Sequence, residues 1–257
     1  MGSGIAQVFA QNGFQVTLFD VNEKMLHTAK ARIEKYAPGI SAEIKFTSSP
    51  VECVADVIVE AIVENAEAKV TLFNKLIAIN GPETIFTTNT SSLSVTGLAE
   101  KAGVPGRFAG LHFFNPAPVM KLVEIVVTSY LPEERAAFLS NLVTRAGKIP
   151  VTCSDSPGFI VNRVARPYYL EALYLLEKNV SDVVSIDKLM EATGFRMGPF
   201  KLMDLIGNDV NYSVSCIVHE SLGKPARLKP SAIQENKVKE GALGRKTGKG
   251  YYEYPVV

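Results

Sequence analysis

The chain has 257 residues, 47% of them hydrophobic, and a formal net charge of +1 at pH 7 with charges of both signs interspersed. This length allows one large domain or two smaller ones, and the balanced charge disfavours a nucleic acid or an anionic membrane as partner. Charges interrupt every long apolar run, which disfavours a membrane span. The three cysteines are far apart and match neither a metal site nor a disulfide framework, so we expect a reducing compartment, the cytoplasm.

Strand-like and helix-like segments alternate along the first part of the chain. Residues 14–19 predict a strand, and residues 22–36 predict a helix with Asn22 as its N-cap. Residues 56–62 predict a buried strand, whose β-branched run suits the middle of a parallel sheet. The remaining predicted elements are a helix at 66–79, strands at 84–88, 108–113 and 122–127, a helix at 132–145 and a strand at 149–153. The alternation predicts a doubly wound, Rossmann-like α/β sheet.

The character of the sequence changes near Ser154, after which strand-like runs largely vanish. Helical spacing predicts helices at residues 167–178, 186–192, 199–206, 209–222 and 231–239. Glycines stand where these helices would end, at Gly194, Gly207, Gly223 and Gly241. We therefore predict an α/β domain over residues 1–154 and an all-helical domain over residues 155–257.

A glycine pair at the start of the chain suggests a dinucleotide site. Gly2 and Gly4 precede an apolar helix, and Asp20 follows about twenty residues later, at the end of the next strand. Such glycines let the backbone approach a pyrophosphate at a helix N-terminus, and such an acid binds the ribose hydroxyls. No strand precedes the pair and the last fingerprint glycine is missing, so an ordinary N-terminal helix and a strand-ending aspartate fit equally well.

His112 and Glu124 are the residues best suited to acid–base chemistry. His112, one of three histidines, ends a strand-like run, where the carboxyl ends of parallel strands face a ligand. Glu124 interrupts an apolar strand, where a buried carboxylate is costly unless it is paired. A carboxylate on the far ring nitrogen would fix the tautomer of a catalytic histidine. The alternative is a histidine that is hydrogen-bonded within the core.

Six blocks of sequence in both halves follow the pattern of a known family. They lie at residues 1–7, 63–65, 88–92, 111–120, 156–163 and 244–252, and they include His-Phe-Phe-Asn-Pro from position 112 and Ser-Pro-Gly-Phe-Ile-Val-Asn-Arg from position 156. Together they resemble the L-3-hydroxyacyl-CoA dehydrogenases, which use NAD to interconvert (S)-3-hydroxyacyl-CoA and 3-ketoacyl-CoA. The resemblance implies a Rossmann-like NAD-binding domain followed by a helical substrate and dimerisation domain. It also implies a short-chain acyl-CoA substrate such as 3-hydroxybutyryl-CoA, a homodimer and no metal.

The resemblance assigns roles to individual residues. It implies that His112 is the general acid/base, that Glu124 is its partner, and that Ser91 and Asn162 contact the reacting oxygens of the substrate. The cofactor contacts that it implies are Gly2, Asp20, Glu64, Lys69, Asn89, Ser91, Asn115 and Lys246. Without the family, Ser91 fits a helix N-cap, Asn162 a turn residue, and Glu64 with Lys69 an ion pair on a helix face.

The sequence departs from the family pattern in two places. The first strand and the first two glycines of the dinucleotide fold have no counterpart, which places Gly2 as the third fingerprint glycine. We expect Met1 to be an internal methionine of the native motif, with an apolar strand upstream at the centre of the sheet. Most of the helical hairpin that follows Asp20 in the family is also missing, so no CoA contacts are assigned there.

Two other functions fit the same motifs. One is a non-catalytic relative on this fold, as lens λ-crystallin resembles the family, and the incomplete glycine turn favours it. The other is a dehydrogenase for free β-hydroxyacids, which His-Phe-Phe-Asn-Pro disfavours because those enzymes rely on a lysine.

An apolar helix face that includes Tyr169, Leu173 and Tyr174, together with Leu170 and Leu176, is either a dimer interface or the domain's own core.

Overall fold

The computed structural model describes residues 1–255 of the chain. It divides into two compact units, Met1–Ser156 and Pro157–Val257, each with its own hydrophobic core. The first unit is an α/β layer structure, and the second is built from helices. This confirms the predicted fold class. No helix within residues 1–255 combines the length and the apolar character needed to cross a bilayer.

The first unit contains seven strands and five α-helices in its described residues. The strands are β1 (Val16–Phe19), β2 (Ile44–Thr47), β3 (Val57–Glu60), β4 (Ile85–Thr88), β5 (Phe108–Phe113), β6 (Leu122–Val127) and β7 (Ile149–Ser154). The helices are α1 (Gly2–Gln11), α2 (Glu23–Tyr36), α3 (Ala66–Ile77), α4 (Val95–Lys101) and α5 (Glu133–Arg145). Helix α2 starts as predicted, since the Asn22 side chain accepts a hydrogen bond from the Lys24 N–H.

The strands form two hydrogen-bonded sheets. Strands β3, β4, β5, β6 and β7 lie side by side in that order, and β6 runs antiparallel to β5 whereas the other neighbours are parallel. Strands β1 and β2 form a separate parallel pair. Within residues 1–255, β1 and β3 therefore each have one strand neighbour.

Burial explains why the five-stranded sheet forms. All six residues of β5 are buried, and Leu111, Ile125 and Leu139 pack in one core with α1 and α5. The rings of Phe73 and Phe108 meet edge to face on the other side, with centroids 4.6 Å apart. Strand β2 and helix α4 were not predicted from the sequence, because each is too short to show a clear period.

The second unit consists of five α-helices in its described residues. They are α6 (Val161–Glu177), α7 (Val183–Ala192), α8 (Pro199–Ile206), α9 (Asn208–Ser221) and α10 (Ala232–Lys239). The glycines predicted to end helices adopt positive φ at Gly194, Gly207, Gly223 and Gly241. Tyr169, Leu170 and Leu173 are buried in this unit's own core, and Tyr174 is half exposed. The predicted apolar face therefore serves mainly to close the helical core.

Helix α6 begins six residues earlier than the sequence predicted. Pro167 lies inside it, although proline normally disfavours a helix interior. The buried guanidinium of Arg166 stabilises this part of the helix, because its Nε donates to the Asn162 carbonyl at 2.8 Å and its Nη1 donates to the Asn211 carbonyl at 2.9 Å. These bonds fix the first turn of α6 to α9, so tertiary contacts outweigh the local penalty.

A buried carboxylate organises the C-terminal block at residues 244–252. Asp204, 1% exposed, accepts hydrogen bonds from the N–H groups of Tyr251 and Tyr252, both at 3.0 Å. A Cβ on Gly250 would collide with the Asp204 carboxylate, so this position requires glycine. Gly244 and Gly250 thus serve close packing around Asp204.

Candidate active site

His112 and Glu124 lie opposite each other at the centre of the five-stranded sheet. They are register partners on the antiparallel strands β5 and β6, so both side chains project from the same face. The distance from His112 Nδ1 to Glu124 Oε2 is 2.7 Å. Glu124 is completely buried and His112 is 6% exposed. Because an ionised carboxylate only accepts, Nδ1–H is the donor to Glu124, and Nε2 is the nitrogen on the far side of the ring.

The local sequence explains this placement. Leu111, Val123 and Ile125 alternate with the polar pair and enter the hydrophobic core on the opposite face. Gly110 lies one step back along the polar face, where a Cβ would stand 2.7 Å from the Cβ of Val126. Glycine therefore lets β5 and β6 approach closely beside the pair.

Glu64 gathers the polar groups of the loop after β4. Its Oε1 accepts from the hydroxyls of Thr90 at 2.6 Å and Ser92 at 2.8 Å. It also accepts from the Ser91 N–H at 3.0 Å and lies 3.4 Å from the Ser91 hydroxyl. The carboxylate thus holds Ser91 by its backbone. Ser91 is not the N-cap of the following helix, since Ser94 caps α4.

The predicted ion pair between Glu64 and Lys69 is only the weaker half of a three-residue cluster. Lys69, 1% exposed, donates to both oxygens of the buried Glu60, at 2.7 and 2.8 Å. Its distance to Glu64 is longer, 3.4 Å. Thr88 also donates to Glu60, at 2.6 Å. Sequence reasoning missed Glu60. The signal was a carboxylate inside the predicted apolar strand 56–62, the same kind of signal that identified Glu124.

Asn89 connects this cluster to the histidine strand. Its backbone N–H donates to the Glu60 carbonyl at 2.8 Å, and its side-chain oxygen accepts from the Phe113 N–H at 2.7 Å. Phe113 directly follows His112. The structure therefore brings Glu60, Glu64, Ser91 and Asn89 into one hydrogen-bonded series next to the acid–base pair. Asn115 lies beyond the end of β5 and is exposed.

Gly2 begins α1, and Asp20 directly follows β1. A Cβ on Gly2 would be 3.8 Å from Leu18 in β1 and 4.0 Å from Ala61 just beyond β3, so the start of α1 lies between the carboxyl ends of these strands. Asp20 follows β1 and accepts from the Asn22 N–H at 2.9 Å. A helix N-terminus beside an acid at a strand end suits the pyrophosphate and ribose of NAD.

The remaining predicted residues belong to the helical unit. Asn162 is in the first turn of α6 and is partly buried, and Arg166 holds its carbonyl. Lys246 is an exposed residue paired with Asp209, with Nζ to oxygen distances of 2.6 and 2.7 Å. Within residues 1–255, no group of three or more His, Cys, Asp or Glu side chains is arranged to hold a metal ion.

Comparison with protein families decides the relationship. Residues 1–156 match the NAD-binding domain of 3-hydroxyacyl-CoA dehydrogenase, and residues 158–254 match its C-terminal domain. The chain belongs to the 3-hydroxyacyl-CoA dehydrogenase family. The resemblance seen in the motifs is thereby confirmed, and the family is one of NAD-dependent oxidoreductases.

Individual members of the 3-hydroxyacyl-CoA dehydrogenase family support this placement over the whole chain. A 3-hydroxyadipyl-CoA dehydrogenase of Escherichia coli is 43% identical over 99% of the chain, which spans 57% of that relative's length. A probable 3-hydroxybutyryl-CoA dehydrogenase of Deinococcus radiodurans is 37% identical, with 99% of the chain and 96% of the relative covered. The crystal structure of (S)-3-hydroxybutyryl-CoA dehydrogenase from Ralstonia eutropha superimposes with a TM-score of 0.91 at 33% identity, over 100% of the chain and 96% of that structure.

The environment of Glu64 in this family member predicts a pH dependence of stability. Burial alone would raise its pKa, but hydrogen bonds from Thr90 and Ser92, the Lys69 charge and the Ser91 N–H outweigh burial and hold the pKa below its ordinary value. A carboxyl whose pKa is lowered by folding stabilises the native state above its unfolded pKa. That stabilisation is lost as the pH falls through the folded pKa.

We therefore expect wild-type protein to lose more free energy of unfolding than Glu64→Gln between pH 7 and pH 3. The difference should be about 0.5 kcal/mol, a small value because Glu64 is partly exposed. Urea unfolding at both pH values measures it, with Glu67→Gln, an exposed position on α3, as the matched control. An identical pH dependence in Glu64→Gln and wild type would contradict this reading of the network.

Proposed function

We propose that the chain is an NAD-dependent oxidoreductase that interconverts (S)-3-hydroxyacyl-CoA and 3-ketoacyl-CoA, with short acyl chains such as 3-hydroxybutyryl as substrates. The observation that carries the proposal is the His112–Glu124 pair, in which a fully buried carboxylate is 2.7 Å from a histidine nitrogen. Oxidation of a secondary alcohol needs a base that takes the hydroxyl proton, and a histidine oriented by a carboxylate can serve as that base.

His112 transfers the proton, and Glu124 keeps the imidazole ring of His112 correctly oriented. During alcohol oxidation, Nε2 takes the hydroxyl proton while Nδ1–H remains donated to Glu124. The negative charge of Glu124 stabilises the imidazolium that forms, and the reverse reaction returns the proton to the ketone oxygen. NAD, when bound, supplies the acceptor for the hydride that leaves the carbon.

Ser91 and Asn162 are proposed to bind the reacting oxygens. A hydroxyl and a side-chain amide can both donate to an oxygen that gains negative charge during ketone reduction. Glu64 holds the Ser91 backbone, and Arg166 holds the helical turn that carries Asn162. Glu64, Lys69, Asn89, Asn115 and Lys246 are proposed as further cofactor contacts, together with Gly2 and Asp20.

We also propose that the two domains of the chain have different functions. Residues 1–154 would bind NAD, and residues 155–257 would bind substrate and form a homodimer in the cytoplasm. Exposed apolar side chains on the helical unit support a protein interface, notably Leu189 at 64%, Leu205 at 49% and Val210 at 48% exposure.

The acid–base assignment predicts the effect of His112→Gln on turnover. The variant should oxidise NADH in the presence of acetoacetyl-CoA with a kcat about 10² to 10⁴-fold below wild type, the usual contribution of a positioned acid/base. NADH affinity should change little, because the substitution leaves the cofactor contacts in place. The matched control is His219→Gln, in α9 of the helical unit. Near-normal turnover of His112→Gln would refute the assignment, and an inactive wild type would favour the non-catalytic alternative.

Asp20 predicts a preference for NAD over NADP. Its carboxylate, at the end of β1, would accept hydrogen bonds from ribose hydroxyls and repel a 2′-phosphate. The next residues are Val21, 81% exposed, and Asn22, so no arginine stands there to bind a phosphate. We expect kcat/KM to be about 100-fold higher with NAD, since a like-charge contact costs several kcal/mol. Steady-state kinetics with both cofactors measure the ratio, and Asp20→Asn should reduce it. Equal or better kcat/KM with NADP would overturn the prediction.

A further inference from the structure

Lys148 is a buried lysine whose ammonium group donates its hydrogen bonds to backbone carbonyls. The residue is 8% exposed and stands between α5 and β7. Its Nζ donates to the carbonyls of Ala117 at 2.7 Å, Met120 at 3.0 Å and Pro118 at 3.2 Å. An ammonium group has three N–H donors, so these three carbonyls account for all of them.

The three carbonyls belong to one short loop, residues 114–121, which connects the two strands of the acid–base pair. The loop begins where β5, the strand of His112, ends, and it leads into β6, the strand of Glu124. The chain around Lys148 is also fixed to the loop's far end, because the Ile149 N–H donates to the Lys121 carbonyl at 2.8 Å. Lys148 therefore determines the path of the chain between the two strands.

The other side of this loop packs against the first turn of α1. A Cβ on Gly4 would stand 3.2 Å from Pro118 Cδ and 3.4 Å from Ala117 Cβ. Ala117 is 2% exposed, so its side of the contact is buried. The loop held by Lys148 thus contacts the helix whose N-terminus is proposed to receive the pyrophosphate of NAD.

We propose that Lys148 is a positioning residue, which keeps the β5–β6 loop in contact with α1 and so fixes the cofactor helix relative to the His112–Glu124 pair. The inference rests on the proposed function. A mobile loop would let α1, Asn115 and the ends of β5 and β6 shift, and displacements of about 1 Å from the reactive geometry cost up to about 100-fold in rate.

Lys148→Met tests the inference, because methionine keeps an unbranched chain of similar length and removes the three donors. In the apo protein, amide hydrogen exchange of residues 114–121 should become about 10-fold faster or more. With NADH and acetoacetyl-CoA, kcat should fall about 10 to 100-fold, and the NADH Kd should rise. Lys148→Arg, which restores donors, should recover part of both losses. Lys121→Met is the matched control, since it removes an exposed charge from the same loop and should leave exchange and kcat unchanged.

The outcomes separate this inference from the proposed function. Inactive wild-type protein would refute the proposed function. Amide hydrogen exchange of residues 114–121 in Lys148→Met would still test whether Lys148 holds the β5–β6 loop. If wild type is active, two results for Lys148→Met would overturn the positioning role. One is unchanged amide exchange of residues 114–121, and the other is faster exchange with normal kcat and NADH Kd. If Lys148→Met does not fold, Gly4→Ala tests the same contact from α1. It should weaken NADH binding by displacing Pro118, and unchanged NADH affinity would overturn the inference.

Discussion

One buried carboxylate determines how the centre of this protein is built. Glu124 lies completely buried in the middle of a hydrophobic strand, where an isolated charge costs several kcal/mol. His112 compensates from the directly opposite position on β5, with its Nδ1 at 2.7 Å. The pair lies across the antiparallel junction of an otherwise parallel five-stranded sheet, and Gly110 beside it lets the two strands approach closely. A sheet that only needed stability would place an apolar residue at both positions.

Polar side chains around the His112–Glu124 pair hold it in place indirectly, because they bind backbone groups of the segments that carry the two residues. Asn89 ties the residue after His112 to Glu60, and Glu60 is held in turn by Lys69. On the other side, Lys148 holds the loop that joins the two strands. Lys69 and Lys148 are buried, and each ammonium group donates to several oxygen atoms, so both limit motion at small cost in unsatisfied groups. Such supports give the preorganised geometry that proton and hydride transfer require.

The sequence predicted those features whose causes are local. Strands β5 and β6 and helix α8 have the predicted bounds, because long apolar runs or clear helical spacing mark them. Partners that are distant in sequence could not be predicted. Lys69 looked like a helix-face partner of Glu64, but folding buries it against Glu60, which belongs to another element. The sequence around Lys148 predicts no role for it, and only the tertiary structure shows the three carbonyls that it binds. Helix α6 began early for the same reason, since Arg166 anchors it to α9.

The central claim is that His112 and Glu124 act as one chemical unit, and a double-mutant cycle tests it most directly. The kcat for NADH oxidation with acetoacetyl-CoA would be measured for wild type, His112→Gln, Glu124→Gln and the double variant, each after its thermal melt shows a folded protein. Residues that act as a unit are strongly non-additive. The account predicts that the double variant is no slower than the slower single variant, within about a factor of three. Rate losses that multiply in the double variant would show that the two residues act independently, and would contradict the account.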